Sequence, residues 1–171
     1  MPKIIENVRE QLLSEARKQI TEQGYAKTTI RSVAGACGLG VGTVYNYFKS
    51  KDMLIATFMA EDWQNGVEQI KCRALNDPKE LIRTVYDMLS GFITAHQMLF
   101  SDSDATKVFY TVFAERHKML RDQIAEILLP ICKNADDPSF LSQFVAESLL
   151  TWTTAGKPFG EIYFIIEKLL K

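Results

Sequence analysis

The stretch from Thr28 to Lys51 constrains the fold of this chain more than any other part of its sequence. Apolar residues at helical spacing lie on both sides of Gly38, which predicts two short helices joined by a tight turn. We expect Thr28 or Thr29 to cap the first helix and the second helix to begin near Gly40. The residues expected to face inward are Ile30, Val33, Ala34, Val41, Val44 and Phe48. Two helices joined in this way are typical of a DNA-binding helix-turn-helix.

The charge distribution favours the same interpretation. No Asp or Glu occurs from Tyr25 to Lys51, whereas four basic residues do. Through Asp52 the chain has eight basic and five acidic residues, a net charge of +3, whereas the remainder has twelve and sixteen, a net charge of −4. A basic window inside a nearly neutral chain is typical of a local phosphate-binding surface.

The run GLGVGTVYNYFKSKDML, which begins at Gly38, resembles the signature of the TetR family of bacterial transcription regulators. The resemblance covers roughly residues 5–60. Gly40 and Val41 depart from the pattern, since polar residues are usual at both positions. The matching residues are Gly38, Gly42, Thr43, Tyr45, Tyr47, Phe48 and Lys51, preceded by Thr28, Thr29, Ile30, Arg31, Val33 and Ala34.

The second helix of the motif contains most of the residues that we expect to face DNA. The candidates for major-groove readout are Val41, Gly42, Thr43, Tyr45 and Asn46. Val41 and the Thr43 methyl group can contact thymine methyls, and Asn46 can pair with adenine. Tyr45 can also contribute partly to the core. The resemblance implies that Arg31 reaches a base edge, and the residues for which it implies contacts to the DNA backbone are Thr29, Tyr47 and Lys51.

Apolar residues repeat at helical spacing along most of the chain, without strand pairs or hairpin dipeptides. We therefore predict an all-α fold of about nine helices. The first helix is expected over residues 3–23, with Gly24 at its end, and a helix of about six turns is expected after Lys51.

Two loops that contain proline separate the later helices. Asp77 is expected to cap a helix over residues 78–100. The next helix is expected to begin in the polar turn at 101–104 and to reach about Cys132, with a break near His117 as one option. The last two predicted helices cover residues 139–154 and 158–170.

We divide the chain into a helix-turn-helix DNA-binding domain, residues 1–50, and a helical effector-binding and dimerisation domain, residues 51–171. Large apolar side chains of the second domain can form an ordinary bundle core or line a ligand cavity. The resemblance implies a small-molecule effector pocket in this part of the chain. The candidate pocket residues are Trp63, Tyr86, Phe92, His96, Phe109, Tyr110 and Phe113.

The last two predicted helices have apolar faces too extensive for one chain to cover. Two such helix pairs, one from each of two subunits, would form a four-helix bundle. The resemblance implies a homodimer of this kind, which binds a palindromic operator in double-stranded DNA. The candidate interface residues are Phe140, Phe144, Trp152, Ile162, Ile166 and Leu169.

Several classes of function lack support in the sequence. Phosphate-binding glycine loops, nucleophile elbows and metal-spaced histidine pairs are absent, so we expect no enzyme activity, no metal and no cofactor. Three cysteines without a CxxC pair are typical of free buried thiols in a reducing compartment. No apolar run reaches the length of a membrane span, so we expect a soluble, cytoplasmic protein.

The sequence as a whole predicts a ligand-responsive homodimeric repressor of this family, with an effector of unknown identity. The sequence does not distinguish activation from repression. The alternative is a helical ligand-binding or protein-interaction module whose helix-turn-helix does not read DNA. Gly40 and Val41 favour that alternative, because they offer base edges few hydrogen bonds.

Overall fold

The fold is all-α, as predicted. The computed structural model describes residues 7–73 and 77–170, and the side chains of all of these except residues 109–115. Over these ranges all regular structure is helical. The helices are α1 (Val8–Lys27), α2 (Ile30–Ala36), α3 (Val41–Tyr47), α4 (Lys51–Lys71), α5 (Pro78–Ala95), α6 (Gln97–Phe100), α7 (Ser103–Leu128), a 3-10 helix (Leu129–Cys132), α8 (Pro138–Thr154) and α9 (Phe159–Leu169).

The chain divides into two compact units. The first unit comprises Met1–Asp62 and His96–Thr111, and the second comprises Trp63–Ala95 and Val112–Lys171. The chain therefore leaves the first unit after Asp62 and returns to it at His96. The division into functional domains at residues 50 and 51 stays a prediction.

Helix α1 forms the centre of the first unit. Leu12, Leu13 and Ala16 on this helix are almost completely buried. Gly24 interrupts the helix with φ 80° and ψ 177°, so the regular helix ends where the sequence predicted. At the other end α1 begins at Val8, and the earlier start expected at residue 3 falls outside the described residues.

The second unit has a continuous apolar core. Residues from α4, α5, α7, α8 and α9 contribute to it, and several of them are fully buried. Burial of each such aliphatic side chain stabilises the fold by about 1.5–3 kcal/mol. Its most deeply buried members are Val67, Ile82, Val85, Ile124, Leu128, Val145, Ala146, Leu149 and Ile166.

The helix expected over residues 78–100 is not continuous, and this prediction was wrong. Helix α5 ends at Ala95, and His96 has non-helical angles of φ −107° and ψ 14° before the short α6 begins. Tertiary packing explains the break, because the His96 side chain is buried in the first unit. Periodicity alone does not distinguish one long helix from two consecutive helices with the same spacing.

Helix α7 passes through His117 without a break, so the interrupted alternative was wrong. The helix changes to 3-10 geometry at Leu129. Pro130 is the second residue of this 3-10 helix. Proline lacks the N–H that an α-helix would use at this point.

Side-chain caps begin the later helices, and the cap predicted at Asp77 is confirmed. The Asp77 carboxylate accepts from the Glu80 N–H at 2.7 Å, and the Asp137 carboxylate accepts from the Phe140 N–H at 2.9 Å. Asp102 accepts from the N–H groups of Asp104 and Ala105, both at 2.9 Å. Each cap satisfies backbone donors that the first turn of a helix leaves without intrahelical partners.

Replacement of Asp137 by alanine is expected to lower the free energy of unfolding by about 1 kcal/mol, because the cap of α8 is lost. Urea denaturation at neutral pH measures this change. The neighbouring exposed Asp136 provides the control, and Asp136→Ala is expected to shift the value by less than about 0.5 kcal/mol. Equal losses in the two variants would contradict the capping role.

Candidate nucleic-acid interface

The first helix of the motif, α2, begins with a reciprocal cap. The Thr29 hydroxyl accepts from the Ser32 N–H at 3.0 Å, and the Ser32 hydroxyl oxygen accepts from the Thr29 N–H at 2.9 Å. Thr28 is buried, and its hydroxyl donates to the Gly24 carbonyl at 2.9 Å. Of the two threonines that the sequence offered, Thr29 is therefore the cap.

The turn between α2 and α3 depends on Gly38. This residue has φ 65°, a left-handed conformation that glycine adopts without a steric penalty. The following N–H, of Leu39, returns to the Ala34 carbonyl at 2.8 Å and closes the end of α2. Gly40 precedes α3 and caps it without a side-chain hydrogen bond.

Helix α3 has one buried face and one exposed face. Val44 is fully buried and Phe48, just after the helix, is 3% exposed, as predicted. Tyr45 and Tyr47 are 46% and 47% exposed, so Tyr45 contributes little to the core. Of the other residues predicted to read the major groove, Gly42 and Asn46 are exposed and Val41 and Thr43 are half-buried. The exposed face therefore offers phenol, amide and hydroxyl groups.

The basic residues of this window differ in their environments. Lys27, Arg31 and Lys49 are exposed. Lys51 is half-buried, and its Nζ donates to the Tyr25 carbonyl at 2.9 Å and lies 3.4 Å from the centre of the Tyr25 ring. Burial lowers the pKa of Lys51, against the opposing effect of the Asp52 carboxylate.

Sequence reasoning missed the role of Tyr25. Its hydroxyl donates to the Asp52 carboxylate at 2.6 Å, so one tyrosine contacts the first two residues of α4. Nothing in the spacing of residues 25, 51 and 52 signals this contact, because it joins the end of one helix to the start of another.

The DNA contacts predicted for individual side chains stay predictions. Thr29 and Arg31 are exposed at the start of α2, and Tyr47 is exposed at the end of α3. All of the predicted contact residues belong to the first unit.

The candidate pocket residues lie in different surroundings. Trp63 meets Phe92 edge to face, with ring centres 5.6 Å apart, and donates to the Gln123 side chain at 2.7 Å. Tyr86 packs on Phe159 and donates to the Lys157 carbonyl at 3.1 Å. The candidate residues whose side chains lie outside the described residues are Phe109, Tyr110 and Phe113.

His96, the remaining pocket candidate, belongs to the first unit. Its ring stacks on Phe58 at 5.8 Å, and its Nε2 lies 3.2 Å from an Asp62 carboxylate oxygen. Asp62 also accepts two hydrogen bonds from Arg17, at 2.7 and 3.3 Å. Burial lowers the pKa of His96 and outweighs the attraction of Asp62, while the charge of Arg17 lowers it further. The effector pocket stays a prediction.

The candidate dimer residues separate into two groups. Phe140, Phe144, Trp152 and Leu169 are between 43% and 65% exposed. Ile162 and Ile166 are 6% and 2% exposed and belong to the core of the second unit, because α9 packs on α5 and α8. An apolar groove of about 290 Å³ follows this surface, lined by Phe144, Ser148, Trp152, Lys157, Glu161, Ile162, Ile165, Ile166 and Leu169.

Cysteine, metal and membrane features add little to the site. Cys132 is buried and Cys37 is half-buried, whereas Cys72 is exposed, so the expectation of buried thiols was wrong for Cys72. Within the described residues no group of three or more His, Cys, Asp or Glu side chains could hold a metal ion. Over the same ranges, no helix has the length and apolar character to cross a membrane.

The arrangement of α1, α2 and α3 is that of a helix-turn-helix DNA-binding domain. Residues 12–57 match the family model described as bacterial regulatory proteins, tetR family. This segment of the chain is therefore similar to the TetR family, as the sequence resemblance indicated.

Two curated relatives are similar to part of the chain. The HTH-type transcriptional regulator HbdR of Aromatoleum sp. is 41% identical over 54 residues, which are 32% of this chain and 24% of HbdR. The HTH-type transcriptional repressor Rv1474c of Mycobacterium tuberculosis is 32% identical over 95 residues, 53% of this chain and 48% of the relative. The chain thus spans about a quarter and about half of the lengths of these two relatives.

A solved structure extends the likeness of fold to most of the chain. A transcriptional regulator from Aquifex aeolicus matches with a TM-score of 0.63 and 19% identity, and the match covers 95% of both chains. This likeness shows a common fold.

Replacement of His96 by asparagine is expected to reduce the loss of stability in mild acid. The pKa of His96 is lower in the folded chain than its ordinary value of 6.5, so the unfolded chain binds the proton first as the pH falls. The free energy of unfolding should therefore decline below about pH 6.5, by at most about 1.4 kcal/mol per pH unit from this group. Urea denaturation between neutral pH and mild acid measures the slope in each variant.

His117→Asn is the matched control. His117 is partly exposed and contacts Glu147 in the second unit. This variant retains His96 and should keep the slope attributed to it. A wild-type slope in His96→Asn would show that other groups produce the acid sensitivity.

Proposed function

We propose that this protein is a TetR-like transcriptional regulator that binds a palindromic operator in double-stranded DNA as a homodimer. The observation that supports this most directly is the exposed face of α3 beside a basic window, within a segment that matches the family. Repression is the favoured outcome, since Rv1474c of Mycobacterium tuberculosis is described as a repressor. We place this activity in the cytoplasm and propose no enzymatic reaction.

Readout of bases depends on what α3 presents to the major groove. Asn46 can accept and donate in one plane, which suits the edge of adenine, and the Thr43 methyl group suits a thymine methyl. Arg31, exposed on α2, can reach guanine with two parallel hydrogen bonds. Lys27 and Lys49 supply charge for phosphates, which strengthens binding without regard to sequence.

The exposed apolar side chains of α8 and α9 support the proposed dimer. Phe140, Phe144 and Trp152 on α8 and Ile165 on α9 are about half exposed or more, although they are large apolar residues. A two-fold axis through this surface would bury them against their own copies. Binding to two half-sites of a palindrome requires the dimer to present its two α3 helices about one DNA turn apart, roughly 34 Å or slightly more.

A small molecule bound in the second unit would regulate the dimer by favouring one separation of the two α3 helices. The effect needs a difference in effector affinity between the two arrangements of about 1–3 kcal/mol. The competing function is that of a helical module that does not bind DNA. Gly40 and Val41 support it, because they offer base edges few hydrogen bonds.

Binding to duplex DNA should depend steeply on salt, and each lost phosphate contact should reduce the slope of log K against log salt by about 1. We expect this reduction in Lys49→Ala and Lys27→Ala, measured by fluorescence anisotropy on a nonspecific duplex. Selection from random duplexes, followed by footprinting, should yield a palindrome. Arg31→Ala should bind it more weakly, by about 1–3 kcal/mol.

Lys118→Ala is the matched control for charge, because Lys118 is 79% exposed and belongs to the second unit. This variant should keep the wild-type slope. Absence of salt-dependent binding by the wild-type chain would favour the module that does not read DNA.

Phe144→Asp should convert a dimer into monomers, because a carboxylate would then be buried in an apolar interface without a partner. Sedimentation velocity measures the change. Leu129→Asp is the control, since Leu129 is 41% exposed in the same unit but lies outside α8 and α9. A wild-type chain that sediments as a monomer at high concentration would contradict the proposed dimer.

A further inference from the structure

Tyr25 contacts both residues at the start of α4. Its carbonyl accepts from Lys51 Nζ at 2.9 Å, its ring lies 3.4 Å from the same atom, and its hydroxyl donates to Asp52 at 2.6 Å. We refer to Tyr25, Lys51 and Asp52 as the Tyr25 clasp. The clasp joins the last turn of α1 to the first turn of α4, on either side of the helix-turn-helix.

The clasp restricts the position of the Lys51 ammonium. A solvated lysine moves among many rotamers, and its loss of freedom on binding a phosphate opposes the association. In this protein one of the three ammonium N–H groups already donates to Tyr25, which leaves two for other acceptors. Lys51 can therefore contact a phosphate from a position that folding has already selected.

The Asp52 carboxylate is unfavourable for a DNA-binding surface because of its negative charge. It is the first acidic residue after a window of 27 residues, Tyr25 to Lys51, that contains none. A carboxylate free to turn toward phosphates would repel them. The hydrogen bond from the Tyr25 hydroxyl holds this carboxylate at the tyrosine and restricts its movement.

The tyrosine hydroxyl remains a donor at ordinary pH. Burial is the largest cause that raises the pKa of Tyr25 far above its usual value, and the hydrogen bond and charge of Asp52 add to it. The carboxylates of Asp102, just before α7, and of Asp104, in its first turn, act in the same direction. These two carboxylates also favour the charged form of Lys51.

We propose that Tyr25 is a positioning residue of the DNA interface: it holds the Lys51 ammonium ready for a phosphate, and it holds the Asp52 carboxylate at its own hydroxyl, where the carboxylate does not compete with the phosphate for that ammonium. This role rests on the proposed function, since it has a consequence only if the first unit binds DNA. It assigns Tyr25 an electrostatic task in addition to its packing at the end of α1.

A double-mutant cycle separates this task from packing. Tyr25→Phe retains the ring and the carbonyl and removes the hydroxyl that donates to Asp52. We expect it to weaken binding to a nonspecific duplex about threefold at low salt, through the released carboxylate. In the Asp52→Asn background the same replacement should have almost no effect, because no charge is released.

Binding is measured by fluorescence anisotropy on the full chain, with the melting temperature of each variant as the readout of folding. Glu22→Gln is the control for removal of an exposed carboxylate in the same unit, and it should not abolish the effect of Tyr25→Phe. If Tyr25→Phe melts below the assay temperature, Asp52→Glu tests the same role with Tyr25 intact. The longer side chain displaces the carboxylate from the hydroxyl, and we expect a similar loss of affinity.

The outcomes distinguish the two proposals. Salt-dependent binding by the wild-type chain with unchanged binding by Tyr25→Phe would overturn the role of Tyr25 alone. Equal weakening by Tyr25→Phe in both backgrounds would overturn it too, since the loss would then be structural. A wild-type chain without salt-dependent binding would overturn the proposed function and the role of Tyr25 together.

Discussion

The burial of one side of α3 is the interaction on which the rest of the helix-turn-helix depends. A helix of seven residues is far too short to be stable alone in water, since nucleation is costly and few hydrogen bonds follow it. Val44 and Phe48 are almost fully buried, and this packing stabilises the helix in the absence of a side-chain cap. Because these two residues fix the rotation of the helix about its axis, they also decide that Tyr45 and Asn46 are exposed.

In the first unit, the arginines of α1 are paired with carboxylates, whereas most basic residues of the acid-free window are exposed. Arg9 and Arg17 on α1 form ion pairs with Glu61 and Asp62 on α4, at 2.6 and 2.7 Å. These pairs are partly exposed and contribute little to stability. The basic residues of the acid-free window are mostly exposed, and the clasp adds Lys51 in a fixed position.

Most of the helical architecture could be predicted, because local signals determine it. Gly24 and Gly38 end helices through positive φ angles, and Asp77 and Asp137 begin them through side-chain caps. The break at His96 could not be predicted, because the apolar pattern continues across it and its cause lies in contacts with distant residues. Ile162 and Ile166 were assigned to the dimer surface for a similar reason, since an apolar stripe on α9 does not reveal which part of it faces its own chain.

The sequence by itself determined the fold class, the family likeness of the N-terminal segment and the exposed face of α3, because each depends on spacing within a few turns of helix. Only the tertiary structure decided which of two adjacent threonines caps α2 and where the Lys51 ammonium lies. It alone brought Tyr25 to Asp52, and His96 to Asp62. These contacts join residues more than twenty-five positions apart, and side-chain periodicity describes only neighbours within a helix.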